Sequence, residues 1–395
     1  MRLGLFLEAL AKVCATDLVV IPVAGPDLPA PDLLQRLGIS ANVLAVEGRR
    51  DTPFELLMRL KAPAARLAAF QKYGRSSLAA GVSIPVRDAL REHLGASRYD
   101  LCHIGRAYLA EALSVVPRHR VATMDLDEDE SRSQFEIAAG LRQNRRAFDA
   151  DWALAEAEAQ RRLIGLSARR FDRLFISSAA DAASIRATHP SLDAEVVENA
   201  VAIPANPRRH DDGATLLFVG SFGYSPNAEA MTWFIRDIWP GVRATVTDAR
   251  LLIVGRDADP ALAAFNSRDG IEVRGSVVDI SEAYAEATIA IAPLRSGAGT
   301  RIKVLEAAAH GVAMIATTLG VRGLSLSAPD MLWLADDATG FATAIVEALG
   351  DPAERGARAA RAFEFVSRRH DRGWIVDELA GRFDLMLSYP PGRTA

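Results

Sequence analysis

Cysteine is nearly absent from this sequence: Cys14 and Cys102 are the only two in 395 residues. Their spacing is not that of metal ligands, so a disulfide framework and a structural zinc site are both excluded, and a reducing compartment is indicated. No apolar run approaches the ~18–20 residues needed to span a bilayer. The apolar start, Leu3–Leu10, is short and interrupted by Glu8, and no small-residue cleavage site follows, so it does not read as a secretion signal. A cytoplasmic protein is expected. A basic surplus is also missing: 46 Lys and Arg face 50 Asp and Glu, a formal net charge of −4. That balance argues against nucleic acid as a partner. Tandem repeats and low-complexity tracts are lacking. No Gly-x-Gly-x-x-Gly follows the first strand of either half, which speaks against a nicotinamide-dependent dehydrogenase.

What the chain has is apolar content, 50% of residues, with 24% charged. This is the balance of a globular protein with a large core. At roughly 150 residues per domain, two or three domains are expected. Short apolar runs alternate with helix-length amphipathic stretches. In the first half the runs are 17–23 (DLVVIPV), 99–104 (YDLCHI), 120–124 and 173–177 (RLFIS), with a long helix expected from about Ser131 to Arg170. Such alternation predicts parallel sheets covered by helices on both faces. The polar segment 204–213 (PANPRRHDDG) reads as an interdomain linker, and a hinge near 206–212 is expected. A second series follows: LLFV ending at Gly220, a helix over 228–239, RLLIV ending at Gly255, 271–274 ending at Gly275, IAIAP at 289–293, a helix over 302–310 stopped by Gly311, and VAMIAT at 312–317. The fold predicted is α/β, with two Rossmann-like domains facing across a cleft. Residues 1–205 form the first, acceptor-binding domain and residues 213–375 the second, donor-binding one. Residues 376–395 form a terminal helix or tail that packs back on the first domain.

In open α/β sheets ligands bind beyond the carboxyl ends of the strands. The glycines at the strand ends of the second half let a ligand approach the backbone there. The sharpest signal is Pro293-Leu-Arg-Ser-Gly-Ala-Gly-Thr-Arg-Ile-Lys-Val-Leu-Glu306, a strand running into a glycine-rich loop that opens a helix at about Thr300. Free amides and the dipole at a helix start suit a diphosphate. Arg295, Arg301 and Lys303 add positive charge, and Glu306 is placed to accept hydrogen bonds from ribose hydroxyls. Thr300 to Glu306 spans about 9 Å at about 1.5 Å per residue, the reach from a diphosphate to its ribose. Against this stands the plain reading that glycine loops entering helices are common and that a lone helical Glu is usually solvated.

The stretches LLFVGSFGYSPNAEAMTWFIRDIWP, ARLLIVGR and IEVRGSVVDISEAYAEATIAIAPLRSGAGTRIKVLEAAAHGVAMIATTLGVRGL together resemble the retaining family 4 glycosyltransferases. They look closest to a subgroup with a Gly-Thr-Arg-x-Lys-x-Leu-Glu-Ala loop and helix, found in polysaccharide and cell-surface glycan pathways. The resemblance covers most of the second half, and loosely FDRLFISSAAD and AEVVENAVAI in the first. It implies a GT-B fold and transfer of a sugar from a nucleoside-diphosphate sugar to a glycan, lipid-linked or cell-surface acceptor. The transfer is implied to proceed with retention, without an essential metal, and without a cofactor beyond the nucleotide-sugar substrate. It implies that Glu306 binds the donor ribose, that the Gly299–Thr300 backbone meets the phosphates, that Val277 lies at the base, and that Gly220 and Ser221 face the diphosphate. Lys303 and Arg301 are candidates for neutralising the departing diphosphate.

Several departures from the family pattern matter. Where the family has the first acid of its Glu-x7-Glu motif, this chain has Ala298. The Arg and Lys common after the Gly220 strand are missing, so Arg256, Arg295 or Lys303 is expected to supply their charge. Asp125 stands where the family often has a His, within Asp125-Leu-Asp-Glu-Asp-Glu130. It either binds a sugar hydroxyl or assists acceptor deprotonation, or belongs to a solvated acidic turn. Asp125-Leu-Asp127 resembles a metal motif but lies in the wrong domain for the phosphate loop. The chain opens on what looks like a helix, so the first strand of the N-terminal domain is expected to be missing. Two alternatives share these features: a degenerate nucleotide-binding module without catalysis, and a nucleotide-sugar epimerase. Finally, 54–73 is basic and amphipathic, with Arg59, Lys61, Arg66 and Lys72 and no acid after Glu55. It fits either a peripheral contact with an anionic membrane or a core-facing helix with a basic edge.

Overall fold

A computed structural model describes residues 2–23, 31–44, 46, 48–143, 145–205, 207, 213–258, 262–297, 299–326 and 329–390. Most of the expected linker and hinge, and Ala298, lie outside the described residues. The chain forms two compact units: Met1–Glu198 together with Ile375–Ala395, and Asn199–Trp374.

The second unit carries a six-stranded parallel sheet in the order β12-β11-β10-β7-β8-β9. Its strands are β7 (Thr215–Val219), β8 (Arg250–Val254), β9 (Ile271–Arg274), β10 (Ile289–Ala292), β11 (Ala313–Ala316) and β12 (Trp333–Leu334). Numbered within the unit, this is the order 3-2-1-4-5-6 of a doubly wound nucleotide-binding sheet, and the direction of winding reverses between β7 and β10. The β10 and β11 side chains are all buried, as strands covered on both faces require. Alternate residues of β7 feed the two cores. Leu216 and Phe218 join Trp233, Phe234 and Phe341 on one side, while Leu217 joins Leu252, Val304, Leu305 and Val366 on the other.

The first unit has a four-stranded parallel sheet, β3 (Tyr99–Gly105), β4 (His119–Asp127), β5 (Arg173–Ile176) and β6 (Ala194–Val196), in that order. A separate parallel pair is made by β1 (Leu18–Val20) and β2 (Ala41–Val43). The described chain opens on the helix Arg2–Val13. Its Phe6 stacks on His103, with ring centroids 4.7 Å apart, and packs against Phe175 and Phe383. Phe383 belongs to the helix Arg372–Ser388, so the C-terminal segment completes this core.

Two expectations are corrected in detail. The single helix expected over 131–170 is two, Glu130–Gln143 and Ala147–Ser167. The break follows from Arg145 taking a left-handed φ of 57° while the Arg146 amide donates back to Leu141 O at 2.9 Å, which closes the first helix. The helix expected at Thr300 begins at Ile302, because the Ile302 amide donates to Thr300 O at 3.0 Å in a tight turn.

Candidate active site

The reversal between β7 and β10 places two loops side by side at the carboxyl ends of their strands. After β7 the chain turns through Gly220–Tyr224 into the helix Ser225–Trp233. After β10 it runs through Pro293–Arg301 into the helix Ile302–Ala309. Glycine is needed where these turns crowd. A Cβ on Gly255 would sit 1.8 Å from Gly220 O, and one on Gly297 (φ 92°) would sit 2.4 Å from the Tyr224 hydroxyl. Gly299 has φ 83°, a conformation other residues reach only at a cost.

The charged groups of these loops differ in their engagement. Arg301 is buried and its guanidinium donates to Gly297 O at 2.6 Å, holding the turn from within. Arg322 donates to the same carbonyl at 3.3 Å. Arg295 lies over the Trp233 ring, 4.9 Å from its centroid. Arg256 is exposed, and its carbonyl accepts from the Phe222 amide at 2.9 Å. Val277 and its neighbour Val278 are exposed in the turn after β9. Ser221 offers its carbonyl to Asn227 Nδ2 at 2.7 Å.

Lys303 and Glu306 share the first two turns of the helix Ile302–Ala309. The Lys303 ammonium rests 4.0 Å from the centre of the Phe218 ring and donates to Asn227 Oδ1 at 2.8 Å. It lies 3.0 Å from where a Cβ on Gly220 would be. Burial pushes its pKa down to about 7, with Arg301 acting in the same direction and Glu306 against it. Burial raises the Glu306 carboxyl, and the Tyr284 hydroxyl, 3.3 Å from its Oε2, works against that rise. Tyr284 in turn stacks on His310, ring centroids 4.6 Å apart. His310 Nδ1 pairs with Glu306 O at 2.8 Å and its Nε2 with Ser281 Oγ at 3.2 Å. Asn227 and Tyr284 were not singled out from the sequence. The one available signal was the Pro226-Asn227 pair in the first turn of a helix that follows a strand-end glycine.

Asp125, in the first unit, is fully buried at the end of β4. Arg2 donates to both its oxygens, Nε at 3.0 and 2.9 Å and Nη2 at 2.7 Å, and also to Val197 O at 2.6 Å. Neither a sugar hydroxyl nor a proton-transfer partner reaches that carboxylate without opening the pair. Around it, Arg106 (φ 95°) pairs with Asp127 (φ 63°). Burial raises Glu128 to about 7 and Glu130 to about 8.

The class defined by two such units of parallel α/β structure is the GT-B fold. Solved structures agree. HepE from Anabaena, crystallised with UDP and glucose, superposes with a TM-score of 0.61 at 14% identity, covering 97% of this chain and 95% of that one. The sucrose-phosphate synthase of Thermosynechococcus elongatus gives 0.58 at 16% identity, over 77% and 78%. Residues 213–351 match the family model for glycosyl transferases group 1. The phosphatidyl-myo-inositol mannosyltransferase of Mycolicibacterium smegmatis is 32% identical over 163 residues, 40% of this chain and 42% of that protein. A 44.6 kDa protein of the Klebsiella pneumoniae cps region is 24% identical over 164 residues, with the same coverage. This chain therefore spans about two fifths of the length of the curated relatives it matches.

Proposed function

We propose that this chain is a retaining glycosyltransferase of family 4 type, moving a sugar from a nucleoside-diphosphate sugar to a glycan, lipid-linked or other cell-surface acceptor without an essential metal. The observation that carries this is the winding reversal between β7 and β10, which brings the Gly220 turn, the Gly297–Thr300 turn, Lys303 and Glu306 to one edge of one sheet. Amides and a cation collected there suit the charge that develops as a diphosphate leaves. The second unit holds the donor, with Glu306 on the ribose, Gly220, Ser221, Gly299 and Thr300 at the phosphates, and Val277 at the base. The relative crystallised with UDP and the one named as a mannosyltransferase support this reading.

A thermal-shift panel of UDP, GDP, ADP and CDP tests it. A diphosphate at a hundred times its dissociation constant stabilises its site by roughly 2.7 kcal/mol, and Glu306→Ala should lose that gain. If no nucleotide shifts the wild-type melting point, the transferase reading is overturned in favour of the degenerate module.

Peripheral contact with an anionic membrane through 54–73 belongs to the same proposal. Residues 58–65 are all exposed, Leu56, Met58 and Leu60 among the exposed apolar side chains nearby. From residue 56 to 87 the chain has six cations and no acid, a composition suited to such a surface. Co-sedimentation with phosphatidylglycerol vesicles but not phosphatidylcholine vesicles, lost in Arg59→Glu with Lys61→Glu, is expected. Equal partition to both lipids would remove the membrane from the proposal.

A further inference from the structure

The turn after β7 carries no cation of its own: Gly220-Ser-Phe-Gly-Tyr-Ser-Pro-Asn227 is uncharged throughout. Yet a cation stands against it. Lys303 reaches the Gly220 turn from the helix that follows β10, across the winding reversal. The group that joins the two is Asn227, only 7% exposed. Its carboxamide is used at both ends. Oδ1 accepts from the Lys303 ammonium at 2.8 Å, and Nδ2 donates to Ser221 O at 2.7 Å. The reverse orientation of the amide would set a donor against the ammonium and an acceptor against the carbonyl, so these two partners fix it. The Phe218 ring closes the other side of the ammonium at 4.0 Å, and Gly220 leaves the space a Cβ would take.

We propose that Asn227 is a positioning residue that locks the Lys303 ammonium against the Gly220–Ser221 turn, so that the cation facing the donor's diphosphate is supplied from the neighbouring loop's helix. This rests on the donor-site reading given above. The electrostatics agree with the geometry. Burial and Arg301 depress Lys303, Glu306 opposes them, and the Tyr284 phenol beside the same helix is neutral. An incoming diphosphate brings the negative charge that restores the full ammonium. In a dry site a charge-assisted contact of this kind is worth about tenfold or more in affinity.

The test is a double-mutant cycle by calorimetric titration at pH 6.5 and 8.5. The probes are UDP, GDP, ADP and CDP, each compared with its nucleoside. The proteins are wild type, Asn227→Ala, Lys303→Met and the double variant. We expect each single variant to weaken the bound diphosphate roughly tenfold and its nucleoside less than about twofold. The double variant should be no weaker than Lys303→Met, because contacting residues are not additive. Wild-type affinity for the diphosphate should fall from pH 6.5 to 8.5, and that of Lys303→Met should not. Losses that add in the double variant, or that strike nucleoside and diphosphate alike, would overturn the positioning role and leave the donor site standing. A flat wild-type pH response would overturn it as well, even if Asn227→Ala failed to fold. Failure of all four diphosphates to bind wild type would overturn the donor site and this inference together.

Discussion

The strand ends of the two units are finished in opposite ways. In the second unit β7 and β8 run out into Gly220 and Gly255, and β10 runs into a loop holding Gly297 and Gly299, where bare backbone lies so close that Gly255 would place a Cβ 1.8 Å from Gly220 O. In the first unit β3 and β4 end on Arg106 and Asp127, both held at positive φ and paired with each other, while Arg2 closes over Asp125. Burial acts on both regions but with opposite sign. It raises acids in the first, Glu128 and Glu130, and lowers a cation in the second, Lys303. One region has its charges matched from within. The other has a cation and open amides whose natural complement, on the proposal above, is a diphosphate.

The contrast can be broken most forcefully at Arg2. Removing one partner of a buried pair leaves the other charge stranded, at a cost of about 3–5 kcal/mol. Arg2→Ala should therefore destabilise the first unit by that amount, read by hydrogen exchange over β4, while Arg2→Met combined with Asp125→Leu loses much less. A cost under about 1 kcal/mol for Arg2→Ala would mean that the closure of this region comes from packing instead. Next in size is Gly255→Ala, expected to cost the second unit about 3 kcal/mol through its clash with backbone. Gly356→Ala, where nothing lies within 4 Å of the added carbon, should instead stabilise its helix by about 0.5–1 kcal/mol. Equal effects at the two glycines would erase the distinction drawn for the strand-end turns.

A smaller effect sharpens the electrostatic half of the comparison. Glu130 has a folded pKa of about 8, raised from an ordinary 4.5 chiefly by burial. The folded state therefore binds more protons than the unfolded between those values. Its contribution is fully present below about pH 4.5 and is lost as pH rises through about 8, at no more than about 1.4 kcal/mol per unit. Wild type should lose stability relative to Glu130→Gln between pH 5 and 8.5, and parallel curves for the two would show that the acid is not in fact desolvated. The smallest effect belongs to Tyr284→Phe. Its two hydroxyl contacts are 3.3 Å long, so the expected loss is under about 1 kcal/mol, with Glu306 shifting further upward once that donor is gone. A downward shift of Glu306 by NMR titration would contradict the assignment of the contact.

Much of this was legible in the linear chain because it rests on local signals. LLFV, RLLIV, IAIA and AMIA are buried strands, and the glycines that follow them fall at turns where the backbone crowds. The loop from Arg295 to Glu306 could be recognised for the same reason. What could not be read depends on partners distant in sequence. Asp125 looked available until Arg2, 123 residues away, was seen on it. Asn227 was invisible because its meaning comes from Lys303, 76 residues further on. Arg301 and Lys303 looked equivalent, but only their helical directions decide that one turns inward to Gly297 O and the other faces the Gly220 turn. The break in the 131–170 helix was missed because a left-handed Arg145 is set by the packing of the two helices rather than by a glycine.

The two ends of the second unit meet. Val201 bridges Asp371 as parallel neighbours, the Val201 amide donating to His370 O at 2.9 Å and the Arg372 amide to Val201 O at 3.0 Å. The first unit is consequently interrupted in sequence but not in space, and its core is finished only when Phe383 arrives after the second unit has been made. In genetic terms residues 199–374 are a cassette with adjacent ends. Recombination could exchange such a segment for another of the same kind and leave its host's fold intact, whereas a chain stopped at residue 374 would keep the cassette and lose the host.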